Sequence, residues 1–255
     1  MNETNRFDEE VRANIAGLRA DADMKELSRL WVQEVSKHRW AYNFRWLGRP
    51  AIQFPTDAWA LQELIWTIRP DVVVETGVAR GGSVLFSASI LALLDLCDAE
   101  AGQTPRPERR RVIGVEVDLR PENRKALAAH PLGSRVTIVD GSSTDLDTFS
   151  RVEQLCASSE SILVCLDSNH THAHVLKELE LYSGLVRSGS YLVVYDTVIE
   201  HMPSEMFHDR PWGVGNNPMT AVREFLTANN QFEIDEEIAA KLQITVAPSG
   251  FLRRR

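Results

Sequence analysis

The chain has little cysteine: three residues in 255, Cys97, Cys156 and Cys165, with no Cys-x-x-Cys pair. That excludes a disulfide framework and a thiolate zinc knuckle, and leads us to expect reduced thiols in a cytoplasmic protein. Positive charge is also short, with 28 Lys and Arg against 36 Asp and Glu and a net charge of −8. A general nucleic-acid binder needs a phosphate-neutralising surface, so that class is set aside. Arg106, Arg109–Arg111 and Arg253–Arg255 read as a solvated loop and tail. No apolar run approaches a membrane span, the N-terminus MNETNRFDEE is too polar for a secretory leader, and no internal repeat is visible. What is present, 44% apolar and 25% charged residues, describes an ordinary globular chain.

Apolar, β-rich runs occur at Val72–Val74, Val112–Val117, Val136–Val139, Ile162–Leu166 and Tyr191–Tyr195, with helix-like stretches between those far apart. Strands that are apolar almost throughout are buried on both faces, which predicts an α/β fold with a mostly parallel sheet. Phe232–Ile234 and Gln243–Val246 are weaker strand candidates for a final hairpin. The first 55 residues read as a helical extension, in which Leu27, Leu30, Trp31, Val35 and His38 recur at helical spacing and suit a body or a partner subunit. A following helix has Thr56 as a possible cap, Leu61, Leu64, Ile65 and Ile68 on its buried face, and Pro70 after its end. The stretch DAEAGQTPRPERRR (98–111) reads as a polar insertion.

Each strong strand ends on or beside a carboxylate: Glu75, Glu116 with Asp118, Asp140, Asp167 and Asp196. Ligands of open parallel sheets bind outside the carboxyl ends of the strands, so these acids are expected to converge on one rim. In VVVETGVARGGS (72–83), Glu75, Gly77, Gly81 and Gly82 stand between strand and helix, where backbone can approach a ligand. Aligned on GxGxxG the run reads Gly77-x-Ala79-x-x-Gly82, without the central glycine that admits a pyrophosphate, so NAD and FAD lose ground. Read as E-x-G-x-x-x-G it fits the loop of S-adenosylmethionine (SAM) enzymes. Ser83 is placed to meet the methionine carboxylate, Glu116 (with Asp118 second) the ribose hydroxyls, and Asp140, Gly141, Ser142 and Ser143 an adenine edge.

With WLGRPAIQFPTDAWALQELIW, VIGVEVDLRP, LDSNHTHAHVLKELELY, GSYLVVYDT and RPWGVGNNPMTAV added, the chain resembles the cephalosporin-hydroxylase-like family, which includes rhamnosyl and other sugar O-methyltransferases. More distantly it is similar to catechol O-methyltransferase. The resemblance covers roughly residues 40–230 in several ordered motifs. It implies a Rossmann-like class I SAM-methyltransferase fold: a mostly parallel seven-stranded sheet with helices on both faces over residues 56–255, behind the extension of residues 1–55. It implies cofactor contacts at Glu75, Gly77, Gly81, Ser83, Glu116, Gly141, Ser142, Ser143 and Asp167, Mg²⁺ ligands at Asp167 and Asp196, and a general base at His170. Tyr195 stands where the family commonly has an acid. A phenol is a poor magnesium ligand, and water, substrate or Glu200 are the candidates to complete the set.

An alcohol is a weak nucleophile at neutral pH. Magnesium at Asp167 and Asp196 would favour its alkoxide, and His170 would take the proton. The expected activity is SAM- and Mg²⁺-dependent O-methylation of a deoxysugar hydroxyl, of rhamnosyl type, on a glycosylated natural product or glycolipid. A homo-oligomer is expected, without nucleic acid or membrane insertion. The competing readings are a component of an oxidative, hydroxylase-type tailoring system and a non-catalytic partner subunit that keeps the SAM fold. In CLDSNHTHAHV (165–175) the Asp-His step of HxHxDH zinc sites is absent. His172 and His174 read instead as a first helical turn, with His174 and Glu178 as a surface pair. Residues 201–226 read as a long loop and a helix capped by Asn217 with Pro218 in its first turn. Trp212, Phe207 and His208 are the candidates there for sugar or aglycone contact.

Overall fold

β-branched residues that pack on both sides of a pleat form the centre of the structure, a computed structural model that describes residues 3–255. The extension is two helices, α1 (Glu3–Ala20) and α2 (Ala22–Ser36), and a short hairpin of β1 (Phe44–Trp46) and β2 (Arg49–Ala51). After α3 (Pro55–Ile68) the chain alternates: β3 (Val72–Thr76), α4 (Gly82–Glu100), β4 (Arg111–Glu116), α5 (Pro121–Ala128), β5 (Val136–Asp140), α6 (Leu146–Cys156), β6 (Ile162–Leu166), α7 (His172–Tyr182) and β7 (Tyr191–Val194). It closes with α8 (Pro218–Ala228), β8 (Phe232–Ile234), α9 (Glu236–Leu242) and β9 (Phe251–Arg254).

The sheet has seven strands in the order β5-β4-β3-β6-β7-β9-β8. The first five are parallel, and β9 runs antiparallel between β7 and β8. Strand order reverses at β3 and β6, which opens a crevice at their carboxyl ends. Alternation divides the core: Val73, Val112, Leu163 and Val193 face a layer that includes α3 and α4, whereas Val74, Ile113, Val164 and Leu192 face α6, α7 and α8.

Four expectations need correction. The final hairpin pairs 232–234 with 251–254, not with 243–246, which leads out of α9 as an irregular segment. The Arg253–Arg255 tail is therefore mostly strand. In α2, Ser28 and Val32 are the buried positions, while Leu27 and Leu30 are exposed; the stripe is rotated from the one that leucine spacing suggested. Thr56 does not cap α3, since its hydroxyl donates to the Ile244 carbonyl. Finally, α4 is long and apolar enough by length and composition to cross a membrane, contrary to the reading of the runs, yet most of it is buried inside the protein as a core helix.

The 98–111 insertion is also not simply solvated. Arg110 is fully buried, with Nη1 2.9 Å from Asp95 Oδ1 and 2.8 Å from Asp98 Oδ2 on the last turns of α4. Arg135 and Arg69 reach the same two carboxylates, and Arg106 reaches Asp71. Removing one member of a buried ion network strands the others. Arg110→Met is expected to cost about 3 kcal/mol in urea unfolding while leaving ligand binding at the opposite edge of the sheet unchanged; an unshifted midpoint would deny the network that role.

Candidate active site at the strand ends

The turn after β3 is built by backbone constraints. Gly77 has φ 84°, and a Cβ there would collide with the Asp167 carbonyl, so only glycine lets the two strand ends approach. Gly81 also has positive φ and caps α4. Ala79, in place of the missing glycine, still adopts φ 47°. Glu116 holds this turn: its Oε2 accepts the Val78 and Ala79 N–H groups at 3.0 and 2.9 Å. Arg49, from the extension, donates to the Arg80 carbonyl at 2.7 Å and to Asn123 at 2.7 Å.

The pleat sends Glu75, Cys165, Asp167 and Tyr195 toward one face, because each lies an even number of residues along its strand from Val73, Leu163 or Val193. Glu75 is buried, accepts from the Ser83 hydroxyl through Oε1, and has no partner for Oε2 among the described residues. Burial pushes its carboxyl up to about 7. Ser83 thus spends its proton on Glu75. Asp57, buried at the start of α3, is likewise pushed to about 7 by burial, against the hydrogen bonds from Thr245 and Val246. Asp167 is raised well above the usual carboxylate range by burial and then by the charges of Asp196 and Glu75.

Tyr195 packs its ring into the core, and its hydroxyl has no hydrogen-bond partner among the described residues. The chain then leaves the strand: Asp196 adopts φ 57°, ψ 19°, an unusual conformation for a non-glycine residue, and its carboxylate joins Asp167 and His170. One ligand atom from each of the three lies within 4.8 Å of the others, and His170 Nε2 is 3.6 Å from Asp196 Oδ2. Glu200 does not complete this set. Its Oε2 accepts from Gly215 N and Asn217 Nδ2, and it faces Arg223. Asp140 also leaves the rim, turned outward in an ion pair with Arg124.

The cluster lies in a cleft of about 700 Å³ between the turn after β3, the extension and the loop after β7. Trp212 meets the His170 ring edge-on at 4.8 Å, and Phe207 and His208 line the same cleft, as the sequence suggested. Asn217 caps α8 with Pro218 behind it. Sequence reading missed Trp40, Phe54 and Met202, which pack with α2 and Phe207 beside the cleft. Their spacing matches no motif; only the density of aromatics in 31–54 signalled the first two.

The three histidines separate. His172 and His174 fall in the first turn of α7, as expected. His172 bonds Thr220 and Glu224 on α8, and His174 Nε2 meets Ser143 and Ser168. The His174–Glu178 pair exists at 3.5 Å, but Glu178 is fully buried, so it is not a surface pair. Among the described residues the cluster is one histidine with two carboxylates, which differs from the two-histidine, one-carboxylate set of non-haem iron sites. Gly141 packs on Thr148, Ser142 bonds Thr144, and Ser143 is buried at the same turn.

Residues 38–255 match the family model described as Rhamnosyl O-methyltransferase/CmcI. The chain belongs to this family of O-methyltransferases. It is 29% identical over 228 residues to the rhamnosyl O-methyltransferase of Mycobacterium tuberculosis (strain ATCC 25618 / H37Rv), covering 85% of this chain and 83% of that protein. It is 28% identical over 233 residues to the rhamnosyl O-methyltransferase of Mycobacterium leprae (strain TN), covering 86% and 89%. Among solved structures, CmcI in a Mg–SAM form aligns over 84% of this chain and 77% of its own, with a TM-score of 0.52 at 19% identity. This likeness, together with the seven-stranded sheet, makes the fold that of the class I SAM methyltransferases.

Glu75 generates a stability test. Its folded pKa is about 7 against an ordinary 4.5, so the fold keeps a proton that the unfolded chain releases. Stability present below about pH 4.5 is therefore lost as pH rises to about 7. In ligand-free protein, Glu75→Gln is expected to reduce the difference in unfolding free energy between pH 4.5 and pH 8 by on the order of 3 kcal/mol. Parallel pH profiles for the two proteins would refute the assignment.

Proposed function

We propose that this protein takes a methyl group from SAM and places it on a hydroxyl of a deoxysugar, a rhamnosyl-type residue of a glycosylated natural product or glycolipid. The observation that carries the reading is the convergence of Asp167, His170 and Asp196 in the cleft. Two carboxylates gathered this closely repel, and a divalent cation relieves the repulsion. Magnesium prefers oxygen donors, so Asp167 and Asp196 would hold it and leave the His170 ring free. Bound there, Mg²⁺ supplies the Lewis acidity that favours the acceptor's alkoxide, and SAM supplies the methyl group.

The chain's own residues supply the rest. The partnerless, buried Oε2 of Glu75 fits a donor group of the methionyl end of SAM, next to a turn whose backbone glycine opens. His170 accepts the hydroxyl proton at Nε2, with its ring held edge-on by Trp212. The aromatic walls, Trp40, Phe54 and Phe207 among them, exclude water and present apolar faces to the glycoside. Three unpaired cysteines, two of them buried, support a cytoplasmic setting. Trp59 and Trp66, 67% and 51% exposed on α3, support a homo-oligomer.

His170→Ala is expected to lower kcat toward a rhamnosyl glycoside by about 10²–10⁴ while SAM titration gives the wild-type affinity. Wild-type turnover in that variant would remove His170 from the mechanism. Asp196→Asn is expected to raise the Mg²⁺ concentration needed for half-maximal rate; an unchanged requirement would move the metal elsewhere.

A further inference from the structure

Three arginines line the cleft that holds Asp167, His170 and Asp196: Arg39 ahead of the short helix Trp40–Asn43, Arg80 in the turn after β3, and Arg210 in the loop after β7. The chain as a whole carries a net charge of −8, so positive charge is gathered here against its composition. Apart from Asp167 and Asp196, Asp209 is the one carboxylate among the described residues of the lining.

Ion pairing accounts poorly for these side chains. The Arg39 guanidinium lies 4.3 Å from the centroid of the Tyr42 ring and has no carboxylate partner among the described residues. Arg210 lies 5.5 Å from the Trp212 centroid and reaches the neighbouring Asp209 only at 3.8 Å, with both side chains at least half exposed, where a pair is worth little. Stacking on a ring occupies the face of a guanidinium and leaves its N–H edge free. Both groups are therefore held in place with donors to spare for a carboxylate or a phosphate. Trp212 is also the ring that meets His170 edge-on, so one indole separates Arg210 from the base. Arg39 keeps its position at a backbone cost, with φ 51° and ψ 43° in the left-handed region that favours glycine. Arg80 belongs to the turn on which the SAM reading places the cofactor, and it is not counted with them.

We propose that Arg39 and Arg210 receive an acidic group of the acceptor, so that the glycoside methylated here carries a carboxylate or a phosphate close to its sugar. The inference rests on the O-methyltransferase reading above and adds the acceptor's charge to it. A neutral aglycone would leave both guanidinium edges to water, whereas an anion makes charge-assisted hydrogen bonds with them and is drawn to the cleft by their field.

The test is calorimetric titration of the full-length protein, in Mg²⁺ with and without S-adenosylhomocysteine. The probes are a rhamnoside with a carboxypropyl aglycone, its uncharged methyl ester, and rhamnose 1-phosphate. At least one of the two anionic probes is expected to bind about tenfold or more tighter than the ester, and the stronger of them names the group. Arg39→Gln and Arg210→Gln are each expected to bring that ratio toward one, as is about 0.5 M sodium chloride. Equal affinity for anions and ester, no binding of either anion, or a preference that survives in both variants would overturn the inference. Failure of S-adenosylhomocysteine to bind would overturn the SAM reading instead, because the anion preference is read in its absence as well.

Discussion

Acids crowded where the dielectric is low set the terms for the whole carboxyl edge of this sheet. Asp57, Glu75 and Asp167 lie within one layer, with Asp196 against them, and burial holds the first three in a raised range. Each additional charge there makes the next harder to ionise. A site built this way is unfavourable when empty and anionic, and favourable when cationic groups arrive. A divalent ion and a sulfonium cofactor are both such groups, so the cost of gathering the acids becomes affinity for what they bind.

Two backbone devices impose that crowding on a chain that would avoid it. Gly77 leaves out the side-chain atom that would collide with the Asp167 backbone, and Asp196 leaves the pleat through a left-handed conformation that turns its carboxylate into the rim. Had β7 continued for two more residues, alternation would have sent Asp196 to the opposite face. The extension belongs to the same construction. A Cβ at Gly82 would collide with Pro50, and Arg49 bridges to Arg80 and Asn123, so the hairpin braces the turn after β3 from outside. A family match that begins at residue 38, inside the extension, is what that bracing predicts.

The parallel sheet was legible because apolar runs such as ILVCL at 162–166 are unambiguous when both faces are buried, and the rim was legible because strand ends are fixed once strands are. The placement of Asp167, His170 and Asp196 together followed from a resemblance and stands in the structure. What was hidden depends on rotation and on distant contacts. The leucines of α2 promised a face that the tertiary packing turned by about one residue. Arg110 gave no sign of burial because its partners, Asp95 and Asp98, sit on a helix that precedes it by a loop. The last strand was misplaced because 243–246 and 251–254 are equally short and apolar, and pairing with β7 decides between them.

The two sides of the site are not independent bodies. The backbone N–H of His172 donates to Asn216, its ring meets Thr220 and Glu224, and Glu200 accepts from Gly215 and Asn217. The loop that carries Trp212 is therefore pinned at its far end to the start of α7, two residues beyond His170, and to the short helix that follows Asp196. The same linkage holds Trp212 against the His170 ring, so the orientation of that ring is set by the fold itself.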